Sequence, residues 1–244
     1  IAGHDDKDSN TSHLPLDNNI HSININQLKI GYSKKIFDSL DETVKIKMNN
    51  FIEFLTTQNI QLKNIDIEIS DLSIPTYYII AAAEASSNLS RFDGVRYGIR
   101  ESNHNIEKMF CDTRSKFGDE VIRRIMLGNY VLSSGYYDAY YQKALKVRRL
   151  IRDSLVRYFS DFDILILPTS PSIAFNIGEK LNATLDMYLS DTFTIPISLA
   201  GLPAMNLPIS TIDGMPIGVQ ICANHFQEKK LFSMSQFVES HFIS

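Results

Sequence analysis

A helix predicted over residues 119–132 carries apolar side chains on nearly all of its faces. Asp119 and Glu120 open this helix, where negative charge suits the positive end of the helix dipole. A helix that is apolar on most faces is typical of a buried element. Arg124 lies among these apolar residues, so we expect its charge to point into packed surroundings. A buried guanidinium needs an anionic partner, which would be either a protein carboxylate or that of a small ligand.

The beginning of the chain shows the periodicities of a strand, a helix and a second strand. Residues 28–32 alternate as a strand, and residues 38–58 have the spacing of an amphipathic helix, with Ser39 as the N-cap and Glu42 completing a capping box. Residues 60–69 alternate isoleucine with polar residues and predict a second strand. Because these elements form a βαβ unit, we expect the sheet to be at least partly parallel.

The rest of the chain alternates predicted helices with short strands. A helix begins near Ser73, a candidate N-cap, and its small residues over 81–87 allow a neighbouring element to approach closely. The apolar run over residues 163–168 predicts a strand that is buried on both faces. The remaining predictions are a short helix near 106–110, a long helix over 136–159, an irregular segment over 172–203, hairpin strands over 205–210 and 217–221, and a last helix over 227–242.

Composition and charge exclude several classes of protein. The 244 residues are 44% hydrophobic with a net charge of −4, which gives no global attraction to nucleic acid or to an anionic membrane. No run of 18 apolar residues occurs, and we expect a soluble protein. Cys111 and Cys222 lie far apart and are expected to be reduced thiols. Since the sequence starts at Ile1 without a methionine, we expect it to be a piece of a longer chain.

Motifs of self-sufficient catalytic sites do not occur in the sequence. It contains no phosphate-binding glycine loop, no GxSxG elbow, no HExxH pair and no cysteine–histidine cluster. The six histidines are dispersed along the chain. The residues therefore predict neither a metal site nor a nucleophile together with its base.

Several strings closely resemble the A subunits of glutamyl-tRNA(Gln) amidotransferases, which form a branch of the amidase-signature family. These strings are spread over nearly the whole chain, and the longest of them is the most specific to that branch. They comprise residues 1–5, 77–80, 84–89, 91–98, 117–141 and 199–204.

The resemblance implies a fold and an activity. It implies the C-terminal part of a single amidase-signature domain over residues 1–244, a three-layer α/β/α arrangement with a mixed sheet. In that branch, the A subunit hydrolyses glutamine, and the B subunit uses the released ammonia to convert Glu-tRNA(Gln) to Gln-tRNA(Gln). The Ser–cis-Ser–Lys triad of the family lies upstream of the string at residues 1–5, so we expect this fragment to be inactive alone.

The resemblance also implies the partners, the cofactors and the cellular location of the chain. The B and C subunits of the amidotransferase would be its partners in a heterotrimer, and tRNA would be bound through the complex rather than by this chain. ATP and Mg²⁺ would be used by the B subunit, so that no cofactor is expected here. No membrane is implied, and the location would be the cytoplasm of a bacterium or an organelle.

Three residues match glutamine-binding positions of the family: Tyr77, Arg124 and Asp191. Arg124 would hold the carboxylate of glutamine with its planar fork, Asp191 would accept hydrogen bonds from the ammonium group, and Tyr77 would close the pocket. Each residue also has an ordinary structural interpretation. Arg124 could pair with Glu120 one turn earlier, Asp191 could cap a helix, and Tyr77 could belong to the core.

Two other functions are compatible with the sequence. The outward cations of the helix over 136–159 would suit a tRNA-binding or docking module without catalysis. The chain could also belong to an amidase-signature hydrolase with another amide as its substrate. The segment over residues 114–118 is shorter than the usual loop of the resembled family, which affects the geometry just before Arg124.

Overall fold

The computed structural model describes residues 3–15, 23–91, 93–179, 187 and 189–243. In these residues it contains one sheet with the strand order β2-β1-β3-β5-β4. The strands are β1 (Lys29–Tyr32), β2 (Gln61–Asn64), β3 (Ile164–Pro168), β4 (Ala204–Ile212) and β5 (Met215–Ala223). The α-helices are α1 (Lys34–Asp38), α2 (Glu42–Thr57), α3 (Ser73–Leu89), α4 (Ile106–Arg114), α5 (Asp119–Leu132), α6 (Lys143–Val156), α7 (Thr194–Ala200) and α8 (Glu228–Val238).

The chain forms two compact units. The first combines Ile1–Glu68 with Leu155–Ser244, and the second is Ile69–Ser154. The sheet belongs to the first unit, and the close pair of helices α3 and α5 belongs to the second. That both units are part of one domain stays a prediction.

The sheet of the first unit is mixed, as the sequence predicts. Strand β1 pairs in parallel with both β2 and β3, whereas β5 pairs antiparallel with β3 and β4. All five residues of β3 are buried, which confirms the predicted central strand. Burying one such aliphatic side chain stabilises a fold by about 1.5–3 kcal/mol, so the burial of β3 contributes to the stability of this unit.

Helices α2 and α8 pack on the hairpin strands β4 and β5. Their aromatic side chains meet: the rings of Phe51 and Phe242 lie 5.3 Å apart, and those of Phe54 and Phe237 lie 6.1 Å apart. Phe242 follows the end of α8 in a short π-helical turn. The predicted last helix therefore exists and contributes to the core.

Several predicted helix boundaries are wrong. Ser39 does not cap α2, because the short helix α1 precedes it and Ser39 closes that helix instead. Ser73 is the first residue of α3 rather than its N-cap, and its buried hydroxyl has no hydrogen-bond partner among the described residues. The helix predicted over 136–159 begins as a π-helix (Tyr137–Gln142) before α6. The segment predicted as irregular contains α7.

Helix α5 forms where the sequence predicts it, but it is not a buried helix. Of its residues, only Gly128 and Val131 are buried. Apolar side chains on its other faces, such as Met126 at 65% exposure, lie at the surface of the described protein. The helix buries only the stripe that contacts its neighbours in the second unit.

Asp163, immediately before β3, ties three elements of the first unit together. Its Oδ1 accepts a hydrogen bond from Lys230 Nζ at 2.7 Å, and its Oδ2 accepts one from the Lys29 backbone N–H at 2.9 Å. Partial burial opposes ionisation of this carboxyl, but the bonds from Lys230 and Lys29 outweigh it and hold the pKa of Asp163 below its ordinary value. The ionised carboxylate thus stabilises the folded state.

Replacing Asp163 by Asn should lower the free energy of unfolding by about 1–2 kcal/mol near neutral pH, since charge-assisted bonds are lost. A lowered carboxyl pKa stabilises the fold above the unfolded-state value of roughly 4, and this contribution is lost as the pH falls through the folded-state pKa. The difference between wild type and variant should therefore shrink in acid. Urea unfolding at several pH values measures it, with the exposed Asp161→Asn as control. Equal losses of unfolding free energy in the Asp163 and Asp161 variants would show that the bonds made by the Asp163 carboxylate do not stabilise the fold.

Candidate functional site

Helices α3 and α5 approach each other closely at Gly128. A Cβ atom at this position would overlap the carbonyl oxygen of Ala82 and the side chain of Ser86. The hydroxyl of Ser86 also donates a hydrogen bond to Asn129 Oδ1 at 2.8 Å. The small residues of α3 thus allow the close approach that the sequence predicts, and this contact fixes the side chains that project from both helices.

Arg124 on α5 is held by a neighbouring acid. Its Nε donates to Glu120 Oε1 at 2.9 Å, while Arg123 Nη1 donates to Glu120 Oε2 at 2.6 Å. The Arg124 side chain is 35% exposed, so the expectation of a fully packed guanidinium is wrong. Because α5 buries only a narrow stripe, the guanidinium of Arg124 lies at the edge of the contact between α3 and α5 and not inside it.

Tyr77 and Tyr78 on α3 complete the surroundings of Arg124. The Glu120 carboxylate and, to a smaller extent, a hydrogen bond with Tyr77 raise the pKa of the Arg124 guanidinium, against the opposing effect of partial burial. The guanidinium carbon lies 6.0 Å from the centre of the Tyr78 ring, within the range of a cation–π contact. The structure therefore brings two of the three predicted site residues together.

The guanidinium of Arg124 retains hydrogen-bonding capacity beyond its bond to Glu120. An arginine side chain has five N–H donors arranged as a fork, and the bond from Nε uses one of them. Glu120 also divides its two oxygens between Arg123 and Arg124. Arg124 can thus bind a further carboxylate without leaving its neighbours.

Asp191 lies in the first unit, in the turn before α7. Its backbone carbonyl accepts hydrogen bonds from the N–H groups of Thr194 and Ile195, at 3.2 and 3.0 Å. Phe193, not Asp191, is the N-cap of α7 and makes no side-chain cap. The carboxylate of Asp191 is exposed and has no hydrogen-bond or ion-pair partner among the residues described. The side chain is therefore available to a cationic ligand, and it does not cap the helix.

Gln220 on β5 supports the turn that carries Asp191, a role that our sequence analysis missed. The buried side chain of Gln220 donates from Nε2 to the carbonyl oxygen of Phe193 at 3.1 Å. This bond connects the central sheet to the start of α7. A polar residue in an otherwise apolar strand was the signal that could have indicated it.

A cavity of about 270 Å³ opens at the carboxyl end of β3, also within the first unit. Thr169, Asn206, Gly218 and Ser190 are among its lining residues, and Ser190 is the chain neighbour of Asp191. Thr169 Oγ1 donates to Asn206 Oδ1 across Gly218, where a Cβ atom would collide with that amide. The carboxyl ends of parallel strands are the usual place for ligand-binding sites.

Metal clusters and membrane spans are both absent from the described part of the chain. It contains no group of three or more His, Cys, Asp or Glu side chains able to hold a metal ion. None of its helices is both long and apolar enough to cross a membrane.

The sequence of this chain is similar to those of known proteins along nearly its whole length. A family model described as Amidase matches residues 1–232. The A subunit of glutamyl-tRNA(Gln) amidotransferase from Clostridium botulinum (strain Loch Maree / Type A3) is 48% identical, and the match covers 98% of this chain and 50% of that protein. The relative from strain Alaska E43 is 44% identical with the same coverage. The chain thus spans about half the length of the curated relatives it matches.

Solved structures show the same fold. The crystal structure of the A subunit of glutamyl-tRNA(Gln) amidotransferase from Thermotoga maritima is 34% identical, with a TM-score of 0.73 over 98% of this chain and 48% of that one. The 6-aminohexanoate cyclic dimer hydrolase also reaches 0.73, over 98% of this chain and 50% of its own, but at 19% identity it supports the fold alone. The predicted α/β class with a mixed sheet is confirmed.

Substituting Gly128 by Ala should destabilise the second unit by about 1–3 kcal/mol, because an added methyl group forces α3 and α5 apart. Thermal unfolding followed by circular dichroism measures this loss. Gly118→Ala is the matched control, since a Cβ atom at Gly118 meets nothing within 4 Å. A loss of stability in the control as large as that in the Gly128 variant would show that the close contact of α3 with α5 is not the cause.

Proposed function

Because this chain belongs to the amidase family, we propose that it forms the substrate-recognition half of a glutaminase subunit of a glutamyl-tRNA(Gln) amidotransferase. The observation that carries the proposal is the cluster of Arg124, Tyr77 and Glu120 at the contact of α3 with α5. The 48% identity to a protein named as the A subunit of this enzyme supports the choice of this branch within the family.

Free glutamine presents one carboxylate and one ammonium group, and the chain offers a complementary group for each. Arg124 would bind the carboxylate with the donors that Glu120 leaves unused, and the Tyr77 hydroxyl would add a hydrogen bond. Asp191, whose carboxylate is exposed and without a described partner, would accept hydrogen bonds from the ammonium. This assignment of roles rests on the chemistry of the side chains and on the family motif.

The contact between Arg124 and Glu120 is compatible with ligand binding. An exposed ion pair one turn apart on a helix contributes only a few tenths of a kcal/mol. A substrate carboxylate can therefore share the guanidinium, or displace Glu120, at small energetic cost. Glu120 keeps the guanidinium oriented while the site is empty, and it retains Arg123 as a partner when substrate binds.

Hydrolysis of glutamine needs a nucleophile and its base, which we assign to the half of the relatives that this chain does not span. This chain alone would then bind glutamine but release no ammonia from it. In the enzyme assembled with its partner B and C subunits, the B subunit would use the ammonia to amidate Glu-tRNA(Gln). ATP and Mg²⁺ would be required by the B subunit, and tRNA would be bound by the complex.

The two alternative functions, a hydrolase of another amide and a tRNA-binding or docking module, have less support. The 6-aminohexanoate cyclic dimer hydrolase is similar in fold at 19% identity, whereas an amidotransferase relative reaches 48%. Lys143 and Lys146 of α6 are exposed, as a nucleic-acid-binding face requires, but Arg149 of the same helix is 3.7 Å from the carboxylate of Asp153. Outward cations on one helix of a protein with a net charge of −4 are typical of a solvated face.

Replacing Arg124 by Lys should raise the KM for glutamine at least ten-fold, a loss of about 1.4 kcal/mol or more, because lysine has no planar fork for a carboxylate. Ammonia release would be measured in the complex reconstituted from this chain, the complementary half of a relative, and the B and C subunits. Arg123→Lys is the matched control, since Arg123 shares Glu120 but is not assigned to substrate.

Arg123→Lys is expected to leave the KM within about two-fold of wild type, and both variants are expected to unfold at similar temperatures. An unchanged KM for Arg124→Lys would show that Arg124 serves only the ion pair with Glu120. Equal changes in both variants would show that Glu120, rather than substrate, is the partner that matters.

A further inference from the structure

Tyr78 lies on the side of α3 that faces α5. Tyr78, Ala82 and Ser86 follow one another at intervals of four residues, so they lie along one line of the helix. Ala82 and Ser86 are the residues that Gly128 meets across the contact. Arg124 precedes Gly128 by four residues on α5, just as Tyr78 precedes Ala82 on α3. Tyr78 and Arg124 are therefore neighbours one helical turn before the point of closest approach.

The ring of Tyr78 contacts both site residues of the second unit. Its centre lies 6.0 Å from the guanidinium carbon of Arg124, a distance at which the ring attracts the cation. The same ring lies 5.1 Å from that of Tyr77, with the two planes at 82°, which is an arrangement that aromatic pairs favour. Tyr78 is half-buried, so these contacts are partly shielded from water.

The Arg124 guanidinium is thus restrained by two different contacts. The bond from its Nε to Glu120 Oε1 at 2.9 Å holds one edge of the planar group. Such an ion pair between residues one turn apart is weak, and by itself it restrains the guanidinium little. The Tyr78 ring adds a rigid support, because an aromatic side chain has few rotatable bonds. A group that is held in place beforehand loses less entropy when a ligand binds.

We propose that Tyr78 is a positioning residue of the substrate site, whose ring holds the Arg124 guanidinium in the orientation that receives a carboxylate. This inference rests on the proposed binding of glutamine by Arg124. Tyr78 acts through Arg124 and contacts no reacting atom. The ordinary structural interpretation, in which Tyr78 only fills space beside α5, predicts a loss of stability on substitution but no dependence on the residue at position 124.

Two variants of Tyr78 separate the ring from the hydroxyl, in the complex reconstituted from this chain, the complementary half of a relative, and the B and C subunits. Tyr78→Leu should raise the KM for glutamine about three- to five-fold, as expected when a partly exposed cation–π contact is lost. Its kcat should stay within about two-fold of wild type, because the reacting groups are unaffected. Tyr78→Phe keeps the aromatic ring and should leave both constants within about two-fold of wild type.

Tyr141→Leu is the matched control. Tyr141 is another half-buried tyrosine of the second unit, and its ring lies 5.4 Å from that of Tyr137. The control should leave the KM within about two-fold of wild type, since Tyr141 is assigned no contact with a group that binds substrate. An equal rise of the KM in the Tyr78→Leu and Tyr141→Leu variants would overturn the proposal.

A double variant shows whether Tyr78 acts through Arg124. Effects of residues that act through one another are not additive. The lysine of Arg124→Lys has no planar fork to orient, so adding Tyr78→Leu to this variant should change the KM by less than about two-fold. If the two substitutions instead multiply the KM independently, the positioning role of Tyr78 is refuted.

Two more results would refute the role of Tyr78. One is an unchanged KM for Tyr78→Leu, and the other is an equal rise for Tyr78→Phe, which would assign the effect to the hydroxyl. Should Tyr78→Leu unfold at a lower temperature than wild type, Tyr78→Met serves as a second variant with the same expected rise of the KM. An unchanged KM for Arg124→Lys would refute the proposed function itself. A raised KM for Arg124→Lys with an unchanged one for Tyr78→Leu would refute only the positioning role.

Discussion

The contact between α3 and α5 at Gly128 determines what the second unit can do. Because Gly128 has no side chain, α5 lies directly against the Ala82 carbonyl and Ser86. This close approach brings Tyr77 and Tyr78 of one helix to Arg124 of the other. It also turns Met126 and the neighbouring apolar residues away from α3. A single steric constraint thus produces both a polar cluster and an exposed apolar face.

In the polar cluster of Arg124, Tyr77 and Glu120, the guanidinium of Arg124 is held by a partner and still has N–H donors that a ligand can use. Arg124 has a partner in Glu120, which it shares with Arg123, and its side chain remains 35% exposed with donors to spare. In the first unit, the bond from Gln220 to Phe193 supports the turn of Asp191 without involving the carboxylate of that residue. The carboxylate of Asp191 is therefore left without a described partner, and Arg124 keeps N–H donors beyond its bond to Glu120.

Sequence reasoning succeeded where periodicity alone decides the structure. Strand β3 and the hairpin with its Asp213-Gly214 turn were predicted because a buried apolar run and a turn dipeptide are local signals. It failed where tertiary contacts decide. The burial of α5 depends on which neighbours cover it. Ser39 closes α1 instead of opening α2. Helix α7 was missed although it contains Pro196, because this proline lies in the first turn, where no helical N–H is needed. The polar Gln220 stands out in an apolar strand, but its partner, the carbonyl of Phe193, is defined only once β5 and the start of α7 are in place.

The central claim is that Arg124 is shared between Glu120 and the carboxylate of a ligand. Nuclear magnetic resonance of arginine side-chain N–H groups, recorded while glutamine is added to this chain assembled with the complementary half of a relative, tests it directly. We expect the terminal Nη–H signals of Arg124 to shift and the rotation of its guanidinium to slow, with the signals of Arg123 unchanged. Identical Arg124 signals with and without saturating glutamine would contradict it.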